Sequence, residues 1–197
     1  MRLSSASVDW LAEQCGASAD ASDLEQTYAF SHPLNGTRSL KREELQTEAP
    51  SFLRWWVEIT TPAGERLLEM PLARMVYAEH VIHSNPGRLD HVAYNAAFYV
   101  ERKFQRQGLA TVVYPAEENL YRKWNIAEVQ LHALGDGCVV WLRKFGFQLK
   151  DAEVYAADYP AWARMNGKDP TVPTSAAGYP DAFLRSRTEL HAYKVLR

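Results

Sequence analysis

Phe98-Tyr99-Val100-Glu101-Arg102-Lys103-Phe104-Gln105-Arg106-Gln107-Gly108-Leu109-Ala110-Thr111 is the stretch whose reading decides the fold. An aromatic and β-branched run ends, a short polar turn follows, and a helix opens at a glycine. A helix opening leaves its first backbone N–H groups without intrahelical partners, all pointing one way. These groups carry partial positive charge and suit an anion such as phosphate. Gly108 lets a ligand approach the backbone without meeting a Cβ. Ala110 keeps the next position small, and Arg106 adds a fixed positive charge.

Working outward, Asp90 to Val100 is apolar and aromatic enough for a central strand, and Gly108 to Trp124 for a helix. Ala127 to Ala133 reads as a strand and Gly137 to Phe145 as a second helix, with Gly146 where a C-cap belongs. Phe147 to Ala156 reads as a strand. Upstream, Phe52 to Thr60 and Glu65 to Met70 form an expected hairpin around Thr61-Pro62-Ala63-Gly64. Arg74 to His83 reads as extended, followed by the turn Asn85-Pro86-Gly87. Ser39 is placed to cap a charged helix from Lys41 to Glu48, and residues 7–15 suggest a short helix. In the tail, Asp158-Tyr159-Pro160-Ala161 and Gly178-Tyr179-Pro180-Asp181 each set Pro where the first turn of a helix tolerates it. Gly167 to Gly178 reads as a loop and Glu189 to Leu196 as a closing strand.

The chain has 197 residues, 47% of them hydrophobic, enough to bury a real core as a single domain over 1–197. Net charge is −2. Residues 1–95 carry 8 basic and 13 acidic side chains (−5), and residues 96–197 carry 14 and 11 (+3). No dense basic patch points to nucleic acid. Cys15 and Cys138 fit neither a disulfide scaffold nor a zinc spacing. No secretion signal or membrane-length apolar run is present, so a cytoplasmic setting is expected.

The order Gln105-Arg106-Gln107-Gly108-Leu109-Ala110 resembles the pyrophosphate loop of the GNAT family of N-acetyltransferases, and Phe98-Tyr99-Val100 resembles the end of that family's fourth strand. Trp141-Leu142-Arg143-Lys144-Phe145-Gly146-Phe147 resembles its later helix and Gly-Phe ending. The spacing between the two leaves room for one helix and one strand, built on Val129-Gln130-Leu131. The resemblance covers about residues 52–156 and the closing strand. It implies an α/β fold, with a mixed, mostly antiparallel sheet of six to seven strands, splayed at its centre and flanked by helices. It further implies acetyl-CoA as co-substrate, bound by Phe98 to Val100 and Gln105 to Thr111, and an amine acceptor attacking in a ternary complex. A non-catalytic acyl-CoA-binding domain acting through a protein partner is the alternative. Leu142 keeps it open, standing where many members carry a proton-donating Tyr. Gly135 stands where Asn is frequent.

An amine attacks only when neutral, so a base must take its proton and a donor can help the thiolate leave. Tyr94 matches the position where members often hold a Glu or His. His132, at the end of the fifth strand, titrates in the right range. Tyr155 is read as a tyrosine on the neighbouring strand that could replace the missing one. Each also has a plain structural reading, as a core residue with its polar atom satisfied. Trp162 and Tyr179 are candidate walls of the acceptor pocket, or else cover for the core or a dimer surface. A homodimer is allowed. Glu79, His80 and His83 form a polar group, but a fourth ligand is not placed, so no metal is expected. Cys138 reads as a small buried residue. One ring of the Trp55-Trp56 pair is expected in the core and the other toward solvent or a cleft.

Overall fold

The computed structural model describes residues 27–29, 35–46, 52–60, 68–70, 72–81, 88–95, 98–187 and 189–196, and side chains from residue 90 onward among these. The expected helix at 7–15, the turns at 61–64 and 85–87, and the side chains of Trp55, Trp56, Glu79, His80 and His83 lie outside the described residues. The architecture is α/β, a mixed sheet with flanking helices. The chain falls into two compact units, one of residues 1–129 with 195–197 and the other Gln130–Lys194.

The first unit carries β1 (Thr27–Ala29), β2 (Asn35–Gln46), β3 (Phe52–Thr60), β5 (Leu72–Val81) and β6 (Arg88–Asn95), hydrogen-bonded in that order. Every neighbouring pair is antiparallel. Two short strands stand apart from these, β4 (Leu68–Met70) and β7 (Tyr99–Val100), pairing with each other. The helix α1 (Leu109–Lys123) follows. Its buried Val113, Tyr114, Leu120 and Tyr121 recur at helical spacing and join Val92, Ala93, Trp124 and Ile126 in the core. Ala127 N–H bonds the His91 carbonyl (3.0 Å), and Leu196 N–H bonds that of Ala127 (2.9 Å).

β8 (Glu128–Ala133) leads into the second unit. There follow α2 (Asp136–Lys144), β9 (Gln148–Leu149), α3 (Ala152–Met165), α4 (Asp181–Ser186) and β10 (Leu190–Val195). The strand order is β8, β10, β9. Tyr159, Tyr179 and Phe183 are buried together, with ring centroids 5.2 to 5.3 Å apart, and Trp162 packs 5.3 Å from Phe183. Among the described residues no helix is long and apolar enough to cross a membrane.

Several expectations are corrected. The sheet's strands with described side chains number four, β6, β8, β9 and β10, rather than six to seven. Lys41 to Glu48 is not a helix. It falls mostly in β2, which zips onto β3 from Thr37 to Gln46 with an irregularity between Leu40 and Glu43. Cross-strand pairing outweighs the modest helix propensity of a Lys/Glu run. Among the described residues β3 pairs with β2 and β5, and Leu68–Met70 of the expected hairpin pairs with β7 instead of β3. The strand expected over Asp90–Val100 is described as β6 to Asn95, while Tyr99–Val100 pairs with β4. Phe147–Ala156 keeps only two strand residues. A helix starts at Ala152, with the acidic Glu153 in its first turn. Pro160 therefore lies inside α3 rather than opening it, whereas Pro180 sits at the N-cap of α4.

Candidate functional site

The loop after β7 is held by its own side chains. Phe104 is its buried anchor, ending a 3-10 turn over Arg102–Phe104. Gln105 donates from Nε2 to the Val100 carbonyl (3.1 Å), and Gln107 donates from Nε2 to the Lys103 carbonyl (2.9 Å). Both glutamines thus shape the loop. Arg106 (φ +64°) and Gly108 (φ +80°) take the left-handed conformation, which folds the backbone back before α1 begins. The Thr111 N–H (3.0 Å) and hydroxyl (2.6 Å) both donate to the Gly108 carbonyl.

Gly108 is the N-cap of α1 and offers no side chain to its N–H groups. No acidic residue stands in the first turn. Arg106, Gln107, Gly108 and Thr111 are exposed, Leu109 is buried, and Ala110 is half-buried. Thr111 N–H is taken by the Gly108 carbonyl, and the N–H groups of Leu109 and Ala110, without a side-chain cap and next in sequence to exposed Arg106, form a place where an anion can settle. Just before the loop, Phe98 and Val100 are half-buried and Tyr99 is exposed.

Tyr94, in β6, is half-buried, between buried Ala93 and Asn95. Asn95 accepts a 3.0 Å bond from the Tyr121 hydroxyl.

In the second unit the structure brings His132 and Tyr155 toward one residue, Glu189. His132 Nδ1 lies 2.5 Å from Glu189 Oε1. The Tyr155 hydroxyl donates to the Glu189 backbone carbonyl at 3.3 Å. Tyr155 stands on α3, not on the expected strand. Burial pushes its phenol above the ordinary tyrosine range, and Arg187 lies over its ring at 5.5 Å. A cavity of about 400 Å³ is lined by Tyr155, Asp151, Arg187, Glu189 and His191, among others. Sequence reasoning missed Asp151, Arg187, Glu189 and His191. Glu189 and His191 sit two residues apart at a strand edge, and only the neighbouring strand and α3 make a site of them.

The second motif has a structural use. Leu142 is buried in α2 and Gly146 ends the helix with φ +70°. Trp141 packs on Phe145 (5.1 Å) and Phe147 (5.3 Å). Trp162 and Tyr179 belong to the aromatic cluster, and neither lines the cavity. Arg143 ties the tail to α2. It donates to the carbonyls of Ala176 (3.2 Å) and Tyr179 and pairs with Asp181 (3.3 Å).

Cys138 is fully buried, as expected, and its thiol donates to the Ala133 carbonyl (3.3 Å). Burial pushes its pKa up to about 11. In a Cys15→Ser background, a thiol reagent at mildly alkaline pH should leave the native protein unlabelled and modify Cys138 only after denaturation. Native labelling at the rate of a free thiol would contradict this burial.

No family model matches the chain, and no curated protein matches it. Among solved structures, Ard1 from Thermoplasma volcanium is similar at 15% identity over 71% of this chain and 69% of that one, with a TM-score of 0.37. Nourseothricin acetyltransferase is similar at 9% identity over 100% of this chain and 97% of that one, with a TM-score of 0.38. Likenesses of this degree settle neither fold nor chemistry.

Proposed function

We propose that the chain is a GNAT-like N-acetyltransferase that moves the acetyl group of acetyl-CoA to an amine. The observation that carries this reading is Gly108. It is a left-handed, exposed N-cap without a side-chain cap, in the order Gln105-Arg106-Gln107-Gly108-Leu109-Ala110. That site suits a pyrophosphate, held by the first N–H groups of α1 and by Arg106. Gln105 and Gln107 would act indirectly, by holding the loop. The passage from β6 to Tyr99–Val100 is where the proposed splay of strands would begin, with the pantetheine arm alongside.

The remaining chemistry asks for a base toward the amine and a donor toward the leaving thiolate. Tyr94, His132 and Tyr155 are the proposed groups. Tyr155 is the strongest, because it lines a cavity and its burial keeps the phenol protonated and able to donate. On the tail, half-buried Trp162 is the proposed acceptor contact, with buried Tyr179 supporting it.

Saturable CoA binding, together with thiol release from acetyl-CoA in the presence of at least one amine of a broad panel, is the expected outcome. Absence of CoA binding would end the reading. Binding without release for any amine would favour the non-catalytic alternative, which buried Leu142 at the usual donor position supports. Tyr155→Phe should lower turnover about 10²-fold with CoA affinity unchanged. An unchanged rate would make its hydroxyl purely structural.

A further inference from the structure

Two strands and one helix place an unassigned ligand set beside the cavity of the second unit. Glu189 precedes β10 and His191 lies within it, so alternation sends both toward the same side. His132 comes from β8, the neighbour of β10. The two imidazoles stack at 3.8 Å with an interplanar angle of 3°. Each reaches the same carboxylate. His132 Nδ1 is 2.5 Å from Glu189 Oε1, and His191 Nε2 is 3.6 Å from Oε2. One ligand atom from each of the three residues lies within 4.8 Å of the others.

The second observation is Asp151. Its Oδ2 lies 3.3 Å from His191 Nδ1, the nitrogen facing away from Glu189. A carboxylate near the far ring nitrogen leaves Nε2 on the side of the cluster, the placement by which carboxylates orient metal-binding histidines. We propose that His132, Glu189 and His191 bind a divalent transition ion, Zn²⁺ by ligand chemistry, with Asp151 orienting His191. Two imidazoles and one carboxylate suit Zn²⁺ better than Mg²⁺ or Ca²⁺, and three protein ligands leave a fourth position for water. His132 Nδ1 and Glu189 Oε1 lie too close together to admit an ion between them, so the two side chains must part to bind it. The His132 side chain is 43% exposed and can turn from the stack to complete the site. The proposal does not need the acyl-transfer reading, and where the ion is bound it leaves proton transfer to Tyr94 or Tyr155 rather than His132.

Calorimetric titration of the full chain with ZnCl₂ at neutral pH tests it directly. One ion per chain should bind with micromolar or tighter affinity and raise the melting temperature. Asp151→Asn should weaken binding about 10-fold. The His132→Gln/His191→Gln variant should lose this binding and the Zn²⁺-dependent rise in melting temperature, while circular dichroism reports an unchanged fold. If that variant does not fold, single His132→Gln at the exposed position must show the same loss. No stoichiometric binding, or binding that survives these substitutions, overturns the proposal.

Discussion

Gly108→Glu should bind CoA about 10³-fold more weakly than the wild type, in a protein that still folds cooperatively with its melting temperature lowered by roughly 2–8 °C. The estimate follows from charge. A carboxylate about 4 Å from a phosphate at a protein surface costs roughly 4 kcal/mol, which is about 10³ in affinity. The fold should survive, because a Cβ at position 108 would meet only Thr111 Oγ1, at 3.4 Å, an ordinary contact. The left-handed φ of +80° adds about 1–2 kcal/mol of strain for Glu and most other side chains, and less for Asn. Gly108→Asn separates the two effects, since Asn tolerates that conformation and brings no charge. Asn should keep most of the affinity that Glu loses. A folded Gly108→Glu protein with wild-type CoA affinity would remove the pyrophosphate from this helix opening.

Phe183→Ala should destabilise the protein by about 3–5 kcal/mol, read as a shift in the urea midpoint. Phe183 is completely buried, and its ring meets Tyr159 at 5.2 Å and Trp162 and Tyr179 at 5.3 Å each. Removing it leaves a cavity that three large rings cannot easily collapse to fill. A shift worth less than about 1 kcal/mol would mean the tail packs loosely. The same cluster bears on the acceptor contacts. Tyr179→Ala should act chiefly on stability, because its ring is enclosed, whereas Trp162→Ala can raise the acceptor KM if the half-exposed face of that ring meets substrate.

Much of the chain from Gly108 to Gly146 was legible from local rules, because each element carries its own signals. Gly108 opens α1, apolar residues at helical spacing run through it, Val129 and Leu131 form the core of β8, and Gly146 stops α2. These are interactions among residues near in sequence, and they need no partner from elsewhere. The errors fall where a distant partner decided. Lys41 to Glu48 has a helical composition, yet most of it became β2 because β3 offered a ladder of backbone bonds along its length. Tyr99 and Val100 left the line of β6 because β4 pairs with them. Tyr155 moved from strand to helix once α3 began at Ala152.

The sequence by itself determined the loop with its glycine and arginine, the burial of Cys138 and the order of elements around them. Only the tertiary structure could assemble His132, Asp151, Tyr155, Glu189 and His191 around one carboxylate and one cavity. These residues are separated by up to dozens of positions, and their chemistry depends on distances of 2.5 to 3.6 Å. No periodicity encodes such distances. They follow from β8 lying beside β10 and from the buried Tyr155 of α3 reaching the Glu189 carbonyl.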